Sequence, residues 1–286
     1  MSRQGRLGWE TETQKTQQGV TSVRRTIIIG TAIAMLVGAS AAFASFNSYS
    51  VSTKFSPNKA GSTKSPSPLG VTQMYLAFGT SPNRPAPLKD LKTTIYGLVS
   101  NAKYFPRCSK AMIEKSENLC PKGALVAQGT IHSLLGPGNN GLATTKTTVC
   151  NPGLDVWNAG AGNLWFFFTA KSALQCGGLQ TGAAAPFKGT VTQNGKNLVI
   201  DVPQPGYVST KVANITNFYS SLVHEQLTWK KLVTTVKGKK VGFLASVACR
   251  GGNRPWTQSF TAANFKGAAG GATSTSTVTG SDKCSK

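Results

Sequence analysis

Through most of this chain, β-branched and aromatic residues come in short runs cut by Gly, Pro and Asn. Such runs, at regular spacing, predict strands. They cover residues 71–78, 93–99, 124–135, 143–149, 163–170, 187–193, 197–202, 222–236, 241–249, 256–265 and 273–279. Asn194-Gly195 predicts a tight turn between two of them, and Lys237-Gly238-Lys239-Lys240 predicts a hairpin tip. In residues 163–170, Trp165 and Phe167 alternate with Phe166 and Phe168, as in a strand buried on both faces. Ser109, followed by Ala111, Met112 and Lys115, predicts one short capped helix. The expected fold is all-β: a β-sandwich of two antiparallel sheets with one short disulfide-stapled helix.

A different pattern precedes this. Arg24 and Arg25 lead into an uncharged apolar run of about 19 residues ending in Ala42-Phe43-Ala44. Basic flank, apolar stretch and small-x-small ending make a signal peptide over 24–44, expected to be cut after Ala44. The run is close to the roughly 20 residues that span a bilayer, so a retained signal anchor is the alternative. Residues 1–23 are polar and unpatterned: a cytoplasmic tail or a start codon placed too far upstream. Ser22-Val23 interrupts a twin-arginine context, which favours the general secretory route. Residues 45–69, rich in Ser, Lys, Pro and Asn, are expected as a flexible linker, with a single domain over 70–286. The expected location is extracellular or envelope-associated, or single-pass membrane-anchored if the run is retained.

Export changes the meaning of the cysteines. All six follow the signal: Cys108, Cys120, Cys150, Cys176, Cys249 and Cys284. An even count in an exported chain implies three disulfides. Sequence permits 15 pairings, and proximity favours Cys108–Cys120, Cys150–Cys176 and Cys249–Cys284. No cysteines form a C-x-x-C pair, and the two histidines are far apart in sequence, so no metal is expected.

Charge narrows the partners. The chain carries 31 Lys or Arg against 9 Asp or Glu. Without residues 1–44 these become 26 and 7, a surplus near +19. Such a surplus favours anionic envelope polymers or a membrane surface, through attraction that salt screens. Lys237, Lys239 and Lys240 are the densest candidates for that contact. Intracellular nucleic acid is not expected: no helix-turn-helix, zinc-finger spacing or single-strand signature is present.

Catalytic chemistry finds little support, and no cofactor is expected. A glycosidase needs facing carboxyls; Asp155 and Glu225 are candidates, with Glu117 and Glu114 on the stapled helix. His132 and His224 lie in strand patterns, no Gly-x-Ser-x-Gly elbow accompanies them, and the cysteines are expected to be oxidised. Trp157, Trp165, Trp229 and Trp256, with Tyr207 and Tyr219, are candidates for a sugar-stacking platform. Core packing is their expected role, with the platform as the alternative. Asn214-Ile215-Thr216 fits a glycosylation sequon, which a bacterial origin would make incidental.

Pro87-Leu88-Lys89, Phe105-Pro106-Arg107-Cys108 and Cys120-Pro121-Lys122-Gly123-Ala124-Leu125-Val126-Ala127-Gln128-Gly129 resemble a group of secreted actinobacterial β-rich proteins without an established activity. Residues 237–244, Cys249, Trp256, Phe260 and Cys284 are similar too, and Cys150 and Cys176 fall outside the pattern. The resemblance implies export and a β-rich domain, and no catalytic residue. The sequence therefore leads to a non-enzymatic, basic envelope protein, with a carbohydrate-binding module or a secreted hydrolase as alternatives.

Overall fold

The computed structural model describes residues 45–79, 84–137, 147–169, 176, 185–204, 208–209, 218–263 and 272–285. The signal segment, Tyr207 and the sequon lie outside them.

In chain order the strands begin with β1 (Asn47–Ser56), β2 (Ser67–Pro68), β3 (Gly70–Gly79), β4 (Leu88–Tyr96) and β5 (Leu98–Ser100). A short helix, α1 (Lys110–Lys115), comes next. Then follow β6 (Leu125–Pro137), β7 (Thr148–Cys150), β8 (Gly153–Gly160), β9 (Asn163–Thr169), β10 (Phe187–Asn194) and β11 (Asn197–Pro203). The last are β12 (Val208–Ser209), β13 (Phe218–Trp229), β14 (Val233–Val236), β15 (Lys239–Gly242), β16 (Leu244–Ser246), β17 (Asn253–Ala263) and β18 (Thr273–Lys283). Ser109 caps α1 by accepting from Met112 N at 3.2 Å.

The expected sandwich is corrected. One large sheet runs β1-β3-β13-β6-β8-β9-β10-β11-β4-β17-β18 and curls into a nearly closed barrel. Every neighbouring pair on this path is antiparallel. Eleven alternating staves leave β18 and β1 pointing the same way, so their seam is parallel, as the Lys59–Ser285 bridge records. No continuous ladder joins them. Phe46 N donates to Ser274 Oγ at 3.0 Å and Ser276 Oγ to Asn47 O at 3.0 Å at one end. Ala60 N donates to Ser285 O at 2.9 Å at the other.

Residues 45–69, expected as a linker, hold β1 and β2. Asn47, Tyr49, Val51, Thr53 and Phe55 face inward while Ser48, Ser50, Ser52 and Lys54 face water. The inward row mixes amide and hydroxyl with apolar groups, and that hides the period of two.

Aromatic stacks fill the interior: Tyr49 on Phe260 at 3.9 Å, and Phe166 on Phe187 at 5.5 Å. Trp165 and Phe167 point outward, beneath the helix segment, and pack with Trp157, Ile113 and Cys108. The strand expected to be buried on both faces is β9. All three disulfides join the cysteines that proximity favours.

The end of the barrel where β1, β13 and β18 finish is capped. The small sheet β2-β16-β5 and the β14–β15 hairpin lie there, in the same connections as Phe105 and Phe243, whose rings meet at 5.5 Å.

Candidate functional site

The cap is organised by two buried polar residues that the sequence reading missed. Arg254 is fully buried. Its guanidinium donates to Asn58 Oδ1 (3.0 Å), Tyr96 O (3.1 Å), Gly97 O (3.2 Å), Ala248 O (3.2 Å), Lys59 O (3.2 Å) and Ser246 Oγ (2.6 Å). Three segments, 58–59, 96–97 and 246–248, thus meet on one cation, held by oxygen dipoles. Burial lowers its pKa to about 10. Gly97, at φ +70°, lies against Ala248 O so closely that no Cβ fits there. Asn158, also fully buried, donates to Ala102 O (3.0 Å), Phe105 O (3.2 Å) and Pro106 O (2.8 Å), pinning the segment that leads to Cys108.

Onto this frame the sequence places 15 of the 26 basic residues that follow residue 44. The connections at the capped end are residues 57–69, 97–124, 160–163, 194–197, 230–252 and 283–285, and they contain 15 Lys or Arg against Glu114 and Glu117. Lys237, Lys239 and Lys240 occupy the predicted hairpin tip and are exposed. Lys237 (φ +49°) and Gly238 (φ +74°) form the two-residue turn that right-twisted hairpins favour. At the opposite rim, Arg84 is the one basic residue in the described connections, and it is buried. Between residues 45 and 285, the stretches that are not described contain Lys146, Lys171, Lys211 and Lys266 as their basic residues. Ion pairing neutralises little: among the described residues the salt bridges are Lys92–Asp201 at 3.0 Å and Lys110–Glu114 at 3.5 Å.

A second polar cluster lies inside the barrel. Glu225, Tyr75, Gln73 and Gln258 line a cavity of about 20 Å³, with Phe166, Phe168 and Phe187 opposite. That volume admits about one water. Tyr75 donates to Glu225 Oε2 at 3.3 Å, and Trp229 Nε1 donates to Gln73 Oε1 at 3.0 Å. Gln73 Nε2 and Gln258 Oε1 remain without partners. Burial pushes the Glu225 carboxyl up to about 7. The signal was present in the sequence: Gln73 interrupts the inward row Val71, Tyr75, Ala77, and Gln258 the row Trp256, Phe260.

The hydrolase candidates do not converge. Glu225 faces the interior, whereas Asp155 faces an outer groove of about 710 Å³ under α1. There it meets Glu117, whose carboxyl is raised to about 7 by burial and by its hydrogen bond and charge contact with Asp155. Asp155 also accepts from Gln128 Nε2 at 3.0 Å. No histidine or cysteine lines the groove beside the pair.

The aromatics take the expected core positions, not those of the alternative platform. Trp157, Trp229, Trp256 and Tyr219 are buried, and Trp165 is half-buried under α1. Each packs in a core, leaving no shared exposed face.

Among the described residues no helix is long and apolar enough to cross a membrane. The disulfides fit an oxidising compartment. No protein family, no curated protein and no solved structure matches the chain.

Proposed function

We propose that this is an exported, non-enzymatic barrel that holds anionic polymers of the cell envelope against its capped end. The observation that carries this reading is the gathering of 15 basic residues against two acidic ones in the cap connections. A solubilising charge has no reason to concentrate at one end. Clustered cations on a rigid frame raise the local potential and attract a polyanion without selecting its sequence. Arg254 and the Cys108–Cys120 and Cys249–Cys284 bridges supply that rigidity, so little ordering cost falls on binding.

The test is co-sedimentation of the oxidised protein with isolated envelopes across a salt series. Binding is expected to fall steeply from low to moderate salt. Replacing Lys237, Lys239 and Lys240 together by Glu is expected to weaken low-salt binding by at least about tenfold, since each cation near an anionic surface contributes about 1 kcal/mol. Binding that ignores both salt and this substitution overturns the reading.

A further inference from the structure

The chain has two histidines, and the barrel sets them face to face. His132 of β6 lies directly opposite His224 of β13. Their neighbours Ile131 and Glu225 are buried and point into the barrel. Alternation along a strand therefore puts both imidazoles on the outer face. Both are half-buried, and neither side chain has a hydrogen bond or ion pair within the described protein.

The register that brings them together is not the default one. Leu222 pairs with Ser133, so uninterrupted pairing would place Val223 against His132. A β-bulge at Val223 inserts one residue and moves His224 into that position. A bulge sacrifices ladder hydrogen bonds and re-aims side chains, and such irregularities concentrate at functional positions. The neighbouring outward positions hold Thr130 and Gln226 on the same two strands and Leu76 on β3. No charge there competes for the imidazoles.

We propose that His132 and His224 form a two-histidine site for a divalent transition-metal ion, copper(II) foremost, on the outer wall of the barrel. Directly opposed cross-strand residues have Cβ atoms about 4.5–5.5 Å apart, within reach of a common ion at metal–nitrogen distances of about 2.0–2.1 Å. Water completes the coordination. Imidazole nitrogen favours copper over nickel and zinc by the usual order of divalent affinities. The sequence expectation of no metal rested on the cysteine spacing and on two histidines far apart in sequence; the register of β6 and β13 brings that histidine pair together.

The experiment is calorimetric titration of the untagged, oxidised full chain with copper(II), nickel(II) and zinc(II) salts, together with electron paramagnetic resonance of the copper form. One equivalent should bind, copper tightest, with nitrogen couplings from two imidazoles. His132→Gln and His224→Gln should each weaken copper binding at least about tenfold, comparable to other losses at metal sites. Unchanged affinity in either variant overturns the proposal. So does a wild-type copper spectrum with fewer than two imidazole nitrogens, a readout that does not depend on any variant folding.

Discussion

The cap and the β1–β18 seam close the same barrel by opposite means. The cap gathers its segments on a buried guanidinium and two disulfides, so each part is held by several partners of high individual strength. The seam relies on serine hydroxyls at one rim and a few main-chain bonds at the other. The difference follows from topology. An odd number of alternating staves cannot close with the antiparallel ladder used everywhere else, so closure passes to short side chains. Stability in this molecule is therefore expected to be uneven around its circumference.

The sharpest break of this comparison is Arg254→Ala. It removes the guanidinium's bonds from four carbonyls and two side-chain oxygens in a buried site, Gly97 O keeping the main-chain donors Val247 N and Ala248 N, and about 3–5 kcal/mol of stability should be lost. Chemical denaturation of the oxidised protein measures this. A loss no larger than that of an exposed residue would mean the cap does not depend on this hub.

Replacing Cys249 and Cys284 together by Ser should cost about 2–4 kcal/mol, by freeing a 35-residue loop in the unfolded chain. The same denaturation series reads it, beside Arg254→Ala.

Glu225 tests the interior, midway between cap and far rim. Its carboxyl keeps a proton up to about 7 when folded, against 4.5 ordinarily. The native state thus binds more protons between those values. Stability from this group is full below about 4.5 and is lost as pH rises through 7, by about 3 kcal/mol. Glu225→Gln should flatten that part of the stability–pH curve. The Glu117 carboxyl, more exposed in its groove, should leave a smaller slope of the same sign.

The smallest effect is expected at the seam. Ser274→Ala with Ser276→Ala should cost only about 1–2 kcal/mol in total, since each neutral hydrogen bond contributes about 1 kcal/mol net. Hydrogen exchange should show β1 and β18 opening before β6 and β13, and the double variant should widen that gap. Uniform exchange around the barrel would refute the contrast.

What could be read in advance was local. Ser109 caps its helix and the hairpin tip forms at Lys237-Gly238, because each depends on residues within one turn. The three pairings of nearby cysteines are of the same kind. By contrast β9, expected to be buried on both faces, buries its inward Leu164 and Phe166 and leaves its outward Trp165 and Phe167 half-buried. What stayed hidden depends on register between distant strands. The His132–His224 pairing needs a one-residue bulge, and the Arg254 hub needs residues 58, 96 and 246 to converge. The barrel itself needs β1, whose inward Asn47 and Thr53 disguise it as polar chain. The wrong partner for Asp155 has the same origin: alternation assigns Asp155 and Glu225 each to a face, but only the assembled sheet says that those faces are opposite.

The parallel seam has a mechanical consequence. Had the first and last staves met antiparallel, the two extremities of the described chain would lie at the same rim. Here Ser45 and Ser274 share one rim, while Asn58 and Ser285 share the other. The chain therefore enters the barrel on the side away from its cationic cap and finishes beside it. With β1 ten residues long, these points stand up to about 30 Å apart along the stave. The barrel is a spacer as well as a frame: it sets Ser45 and the cationic cap a full stave length apart.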